Sequence, residues 1–342
     1  MSWTVEVDGS GLARPRAGVG VYTVEVLLAM AELFGEGHFR VHLPSGVTAP
    51  AVASWETRRI PGPRLLGRHW RWPKQLNRET AAYFGPAGQL PLGRMSIPTA
   101  ITVHDLAIYR NPKWFPPRQP LSTRLIVPRS LARADVIISP SRSTASDLAE
   151  LFGIGPDRVR IIPHGVASRF RPGSHDLALR RRLGLPAQFI LFVGTIEPRK
   201  NLATLVQAVL ELPGRPTLVV AGNWGWGYEV DRRLMERAGD RVRILGDLDP
   251  IELPSLYNLA SVLAHPAWYE GFGFTPLEAM ACGIPVVVSN SSSLPEVVGD
   301  AARLVPPDDV DGWKSALEEV LTDPEVATDL RRRGISRARD FT

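Results

Sequence analysis

The chain has 342 residues, of which 44% are hydrophobic and 22% charged, a composition typical of an ordinary globular protein with room for two domains. The only cysteine, Cys282, excludes an intramolecular disulfide and argues against a thiolate metal site. The net charge of +5 is uneven, because residues 1–170 carry 21 Lys and Arg against 12 Asp and Glu, whereas residues 171–342 carry 19 against 23. The two halves are therefore expected to meet different partners.

The ends and apolar runs of the sequence bear on its location. The first residues lack the basic and apolar regions of a signal peptide. The longest apolar runs, such as Phe189–Val193, are too short to span a bilayer. We therefore predict a cytoplasmic protein.

Short apolar runs bounded by turn residues recur along the chain in two series. The first series is Val5–Asp8, Phe39–Leu43, Pro98–Asp105, Asp135–Ser139 and Val159–Val166. The second is Phe189–Ile196, Pro216–Gly222, Val242–Leu248, Ser261–Pro266, Pro285–Asn290 and Ala302–Val305. Helical spacing between them is clearest in Val21–Phe34, Leu202–Leu212 and Leu256–Ala260.

Buried strands that alternate with helices indicate parallel sheets. We predict an α/β protein of two Rossmann-like domains, residues 1–170 and 171–342, which face a central cleft. Ligands of such sheets bind beyond the carboxyl ends of the strands, so functional residues are expected just after strands.

The most informative segment is Trp268–Val287, which reads as strand, glycine-rich loop, helix and strand. Thr275 is predicted to N-cap this helix, and Glu278 to complete a capping box. Glu270 has a weaker structural explanation, because it stands in a loop before glycines. A helix N-terminus approached by glycines attracts anions, so this one could bind a diphosphate. The two glutamates flank that position and could bind sugar and ribose hydroxyls on either side of the diphosphate.

In a second segment, Phe192–Asn201, the adjacent basic residues Arg199 and Lys200 come after a predicted buried strand and before a new helix. One interpretation is a solvated basic pair, the usual position of charged side chains. The other is that both residues bind a diphosphate and stabilise it as a leaving group through charge-assisted hydrogen bonds.

Two segments of the first half also follow predicted strands. Gly18, Val19 and Gly20 open a predicted helix, although such a glycine pair is often only a tight turn. A lone histidine is usually structural, but His104, next to Asp105, ends the strand Pro98–Asp105 in a position where a histidine can act in a cleft.

Two other features have weaker functional interpretations. Asp247-Leu248-Asp249 has the spacing of a metal motif but lacks a nearby histidine or third carboxylate, so we predict no metal. The stretch 58–78 is rich in arginine, contains two tryptophans and has no acid. Three interpretations are open: a solvated face, a patch that binds the inner membrane surface, or a binding site for an anionic acceptor. No recognised motif supports nucleic-acid binding.

The run Glu270–Val287 resembles the hallmark of glycosyltransferase family 4, a retaining family with the GT-B fold whose two glutamates are separated by seven residues. The Arg199-Lys200 run, the Gly18–Gly20 loop and the segment around His104 are also similar to family segments. By this resemblance His104, Glu270, Arg199 and Lys200 are catalytic. It implies that donor contacts come from Gly18, Val19, Gly20, Gly194, Arg199, Lys200, Leu248, Gly271, Phe272, Gly273, Phe274, Thr275 and Glu278.

The resemblance implies a metal-independent, cofactor-free enzyme that moves a sugar, with retention, from a nucleotide diphosphate sugar to a hydroxyl of a glycan or oligosaccharide natural product. Arginine-rich coding is typical of actinomycetes, and the chain is similar in character to glycosyltransferases of orthosomycin antibiotic pathways. A sugar-nucleotide 2-epimerase of the same fold and a non-catalytic sugar-nucleotide-binding subunit remain alternatives. A dinucleotide-dependent oxidoreductase is disfavoured, because Gly18–Thr23 breaks the Gly-Xaa-Gly-Xaa-Xaa-Gly pattern.

Overall fold

A computed structural model describes most of the chain. The described residues are 3–13, 18–34, 38–47, 55–60, 67–73, 76, 80–117 and 122–341. They form two compact units, the first comprising Met1–Leu106 and Arg118–Ile162 and the second Ala107–Pro117 and Pro163–Thr342. The predicted domain boundary after residue 170 stays a prediction.

The first unit contains a seven-stranded parallel sheet in the order β3-β2-β1-β4-β5-β6-β7. Its strands are β1 (Thr4–Asp8), β2 (Phe39–Leu43), β3 (Glu56–Arg59), β4 (Thr80–Gly85), β5 (Thr99–Thr102), β6 (Val136–Ser139) and β7 (Val159–Ile161). Its described α-helices are α1 (Gly18–Phe34), α3 (Val127–Arg133) and α4 (Arg142–Phe152), while α2 (Ala107–Arg110) lies in the segment that belongs to the second unit.

The second unit contains a six-stranded parallel sheet in the order β10-β9-β8-β11-β12-β13. Its strands are β8 (Phe189–Val193), β9 (Thr217–Ala221), β10 (Val242–Gly246), β11 (Val262–His265), β12 (Val286–Ser289) and β13 (Arg303–Val305). Its further helices are α5 (Leu177–Leu183), α6 (Leu202–Glu211), α7 (Glu229–Ala238), α8 (Leu253–Leu259), α9 (Phe274–Ala281), α10 (Leu294–Val298), α11 (Val310–Thr322) and α12 (Pro324–Ala338).

Both faces of the second sheet are buried at its central strand β8. Phe189 and Leu191 of β8 pack into one apolar cluster, whereas Ile190 and Phe192 pack into another on the opposite face. This is why the strand is continuously apolar rather than alternating. The predicted α/β class with two Rossmann-like sheets is confirmed.

Two strands of the first sheet were not predicted. β3 is fully exposed and consists of Glu56, Thr57, Arg58 and Arg59, so no hydrophobic pattern marks it. It exists because its backbone pairs with β2 at the edge of the sheet. β4 (Thr80–Gly85) has only its last three residues continuously buried, which is too short a run to stand out.

The basic stretch 58–78 is only partly described. Arg68 is paired with buried Asp8 and donates to Gln89 Oε1 at 3.0 Å, and Trp72 is buried. Trp70 is 46% exposed. The stretch is therefore not a single solvated face; Arg64, Lys74 and Arg78 lie outside the described residues.

No helix in the described part of the chain has the length and apolar character needed to cross a membrane.

Candidate active site

The loop after β8 is placed by a close approach of two strand ends. Gly194 donates its N–H to the Ala221 carbonyl at 3.0 Å, and Gly222 has a φ of +150°. A Cβ on Gly222 would lie 2.1 Å from the Gly194 carbonyl oxygen, so only glycine allows this approach. The loop that carries the basic pair is thereby fixed against the neighbouring strand.

A short 3-10 turn, Pro198–Lys200, then presents Arg199 and Lys200. The turn ends at Asn201, which adopts a left-handed conformation with a φ of 55°. The Asn201 side-chain amide donates to the carbonyls of Pro266 (3.0 Å) and Pro307 (2.6 Å). These two bonds tie the basic pair to the segments that follow β11 and β13.

Glu270 lies at the centre of the cluster. Its carboxylate accepts a hydrogen bond from Arg199 Nη1 at 3.0 Å and forms an ion pair with Lys200 Nζ. His265 Nε2 lies 3.0 Å from the same carboxylate. The Glu270 side chain is only 13% exposed, so these contacts form in a largely dry environment. Three of the residues predicted to be catalytic are thus brought together within one unit.

The electrostatics of the cluster keep Glu270 ionised. Burial raises the pKa of its carboxyl group, but the charges of Lys200 and Arg199 outweigh burial and hold the pKa well below its ordinary value. Burial also lowers the pKa of His265, which favours the neutral imidazole. Neutral His265 therefore donates from Nε2 to the ionised Glu270.

Glu197 is a second buried carboxylate in the cluster. Its Oε1 accepts from Arg199 Nη2 at 2.7 Å, and burial raises its pKa despite the nearby charge of Arg199. Arg199 also donates to the Tyr269 carbonyl at 2.8 Å. The guanidinium is therefore oriented from two sides, which limits the rotamers available to it.

The glycine-rich loop leads into α9 differently from the prediction. The helix begins at Phe274 and its N-cap is Gly273, with a φ of 121° and no side-chain capping bond. The predicted capping box of Thr275 and Glu278 is therefore wrong, because the chain turns into the helix at a glycine before Thr275. Glu278 instead accepts a hydrogen bond from Tyr257 Oη at 3.0 Å.

The surroundings of Glu278 alter its acidity. Burial raises the pKa of its carboxyl group to about 7, although the hydrogen bond from Tyr257 acts in the opposite direction. The loop before it is held by Ser293 Oγ, which donates to the carbonyls of Glu270 (2.8 Å) and Phe272 (2.7 Å). Both glutamates are thus positioned by the same loop and helix.

The remaining predicted residues of this loop have structural contacts. Phe272 is buried in the core of the second unit, and Phe274 stacks on His164 with ring centroids 4.8 Å apart. Gly271 precedes them and is buried. Side chains therefore fix the loop, and only its backbone groups near α9 are suited to bind an anion.

The predicted residues of the first unit form a separate group. Gly18, Val19 and Gly20 form the first turn of α1. The ring centroids of His104 and Tyr22 lie 4.8 Å apart, and His104 Nε2 is 2.7 Å from the Pro86 carbonyl oxygen.

Burial lowers the pKa of His104 although the Asp105 charge acts to raise it, so the ring is neutral and donates to Pro86. Its acceptor nitrogen is therefore Nδ1.

The Asp-Xaa-Asp spacing forms a turn. Asp249 Oδ1 accepts from the Ile251 N–H at 3.1 Å, and Asp247 is exposed. Leu248 packs against the core of the second unit. Within the residues that the structure describes, no three His, Cys, Asp or Glu side chains are grouped in a way that could hold a metal ion.

An aromatic cluster next to Glu270 was not predicted. Trp226 Nε1 donates to the Trp114 carbonyl at 2.6 Å, and the Trp226 ring stacks on Phe115 at 5.9 Å. The ring centroids of Trp114 and Tyr269, the residue before Glu270, lie 6.4 Å apart. The segment 107–117 thus packs with the rest of the second unit, although residues 118–162 of the first unit separate them in sequence.

The sequence held a signal for some of the missed residues. His265 lies within the predicted strand Ser261–Pro266, near the end where functional residues were expected. Glu197 lies within the segment that presents the basic pair. No local pattern indicates that Trp114 and Trp226, 112 positions apart, meet.

Comparison with known proteins identifies the family. Residues 16–169 match Glycosyltransferase Family 4, and residues 179–339 match Glycosyl transferases group 1. The O-antigen chain mannosyltransferase B of Escherichia coli is 35% identical over 271 residues, which cover 76% of this chain and 70% of that protein. The chain belongs to these GT-B glycosyltransferases.

Other relatives of this glycosyltransferase differ in the activity that they are named for. The D-inositol 3-phosphate glycosyltransferase of Saccharomonospora viridis is 35% identical over 278 residues, which cover 75% of this chain but 64% of that protein. This glycosyltransferase thus spans less than two thirds of that relative's length. Nothing in these comparisons supports the predicted orthosomycin pathway.

Solved structures share the fold of this glycosyltransferase. A sucrose-phosphate synthase from Thermosynechococcus elongatus is 22% identical with a TM-score of 0.80, and the match covers 99% of this chain and 94% of that one. Anabaena HepE in complex with UDP and glucose is 18% identical with a TM-score of 0.78, covering 100% and 95%. At these identities the likeness concerns the fold alone.

Proposed function

We propose that this glycosyltransferase uses a nucleotide diphosphate sugar and transfers the sugar, with retention, to a hydroxyl of a glycan or oligosaccharide natural product. The observation that supports this most is the convergence of Arg199 and Lys200 on the carboxylate of Glu270. Two cations are suited to a diphosphate, and a buried carboxylate is suited to sugar hydroxyls.

The proposed reaction breaks the bond between the anomeric carbon and the diphosphate oxygen and forms a bond from that carbon to the acceptor oxygen. The acceptor proton passes to the leaving diphosphate on the same face of the sugar. Arg199, Lys200 and the N–H groups at the start of α9 would stabilise the charge that develops on the diphosphate. His104 of the first unit is proposed to contact the sugar.

The first donors to test are nucleotide sugars that carry mannose or glucose. The Escherichia coli relative is named as a mannosyltransferase, and one solved neighbour contains UDP-glucose. We propose to measure nucleotide release from GDP-mannose and UDP-glucose, with oligosaccharide acceptors, and to determine the anomeric configuration of the product by NMR. Inversion would contradict the retaining mechanism. Epimerised free donor would favour the 2-epimerase, and binding without turnover the non-catalytic subunit.

We propose that transfer requires no metal ion. The positive charges of Arg199 and Lys200 would supply the stabilisation that a divalent cation supplies in other transferases. The rate in excess EDTA should equal the rate without it. A strict requirement for added Mg²⁺ or Mn²⁺, measured after chelation, would contradict this proposal.

We propose that Glu278 binds the ribose hydroxyls of the donor in its ionised form. Because burial raises its pKa to about 7, lowering the pH from 8 to 6 protonates most of this carboxylate. Nucleoside diphosphate affinity should then fall by about tenfold more in the wild type than in Glu278→Gln, measured by calorimetry at each pH. The nucleotide phosphate titrates equally in both proteins, so equal pH profiles would remove this role.

We propose that the protein acts in the cytoplasm and meets an acceptor that is a glycan, anionic or membrane-associated. Exposed Trp70, Arg58 and Arg59 support a surface that meets such an acceptor.

A further inference from the structure

A groove lies at the outer edge of the second sheet, and its lining residues are different from those of the Glu270 cluster. Its volume is about 340 Å³, which falls in the range of small-molecule sites. Met235 of α7 and Val242 and Ile244 of β10 form its apolar lining. β10 is the edge strand of the sheet, so this side of the groove is open to solvent.

Two aromatic side chains form one wall of the groove. The rings of Trp224 and Tyr228 lie 4.9 Å apart, and Trp224 is 37% exposed. The Trp224 backbone is held in place because its neighbours Asn223 and Gly225 both hydrogen-bond Ile196, at 2.9 and 3.0 Å. An exposed aromatic ring on a fixed backbone offers a flat surface at little entropic cost to a ligand.

The polar part of the groove is electrically neutral. Arg232 and Glu236 line it and form an ion pair at 3.3 Å, with more than half of each side chain exposed. The pair offers hydrogen-bond donors and acceptors together, while its opposite charges cancel. An anionic ligand gains little from such a pair, whereas a neutral polyol can satisfy both partners.

We infer that this groove binds a sugar unit of the glycan acceptor at a distance from the hydroxyl that reacts, an inference that rests on the proposed function. A pyranose presents C–H groups on one face and hydroxyls along its edge. The C–H face packs on the electron-rich face of Trp224, and the hydroxyls bond to Arg232 and Glu236. The groove would thereby hold a long acceptor more tightly than a short one.

The experiment measures binding of linear mannohexaose, cellohexaose and maltohexaose to the full chain by saturation-transfer NMR. Trp224→Ala should weaken the binding of at least one hexasaccharide by about tenfold, and Trp224→Phe by much less. The double variant Arg232→Ala/Glu236→Ala, which keeps the aromatic wall, should weaken it by about threefold or more. Leu304→Ala is the matched control, because Leu304 lies on the opposite edge strand with 39% exposure.

Three outcomes would overturn the inference. The first is that the wild type binds none of the three hexasaccharides at about 10 mM. The second is that the wild type and Trp224→Ala bind with equal affinity. The third is that Leu304→Ala weakens binding as much as Trp224→Ala does. Nucleotide release with a monosaccharide acceptor is measured in parallel. If hexasaccharide binding depends on Trp224 but no turnover is seen, the proposed function alone is rejected. If turnover is normal but no such binding is seen, the sugar-binding role of the groove alone is rejected.

Discussion

Replacing Glu270 with glutamine should lower kcat by roughly two to three orders of magnitude while the protein remains folded. The amide keeps the shape of the side chain but removes the charge that Arg199, Lys200 and His265 surround. It would no longer accept sugar hydroxyls as strongly, and the reacting carbon would be less well positioned. Steady-state nucleotide release measures the loss.

The matched control is Glu319→Gln. Glu319 also pairs with an arginine of the second unit, Arg303, at 2.7 Å, but both side chains are about 40% exposed. Its kcat should stay within about twofold of the wild type, because exposed ion pairs contribute little. Binding of the free nucleoside diphosphate should persist in Glu270→Gln, since both cations remain. Near-normal turnover in that variant would remove Glu270 from the active site.

Lys200→Ala should reduce kcat/KM by roughly two to three orders of magnitude, through loss of the charge proposed to bind the diphosphate. The Lys200 side chain is only 13% exposed, so its charge acts in a less screened environment than a surface lysine. Weaker binding of nucleoside diphosphate, measured by calorimetry, should accompany the slower turnover.

Lys314→Ala serves as the control for Lys200→Ala. Lys314 is a lysine of the same unit whose Nζ lies 4.0 Å from Glu211 at the surface. Its loss should leave both kcat/KM and nucleotide affinity unchanged. If both lysine variants lose activity equally, a general charge effect would replace the proposed role of Lys200.

Much of the fold is predictable from the sequence because parallel strands buried on both faces are continuously apolar. β8, with Phe189–Val193, is such a strand. β3 could not be found in this way, since Glu56–Arg59 is exposed and depends on backbone pairing with β2. Helix α9 begins at Phe274, before the predicted N-cap Thr275, because the chain turns at Gly273. The positive φ of Gly273 leaves no polar capping pattern in the sequence.

The candidate site was predicted only in part. Resemblance to a family indicated Arg199, Lys200 and Glu270, which the structure brings together, but no pattern specified how their charges are balanced. Glu197 and His265 supply part of that balance, and their contacts depend on tertiary packing. Charge pairing across about 70 residues, as between Lys200 and Glu270, leaves no local periodicity to detect.

The pairing of Glu270 with both cations has a consequence for selectivity. A small inorganic anion that approaches Arg199 or Lys200 must compete with a carboxylate that is already in contact with them. It offers that carboxylate nothing in exchange. Under the proposed function, a sugar linked to a diphosphate would donate its hydroxyl groups to the carboxylate while its phosphates pair with the cations. We therefore expect the cluster to bind the intact donor in preference to inorganic phosphate.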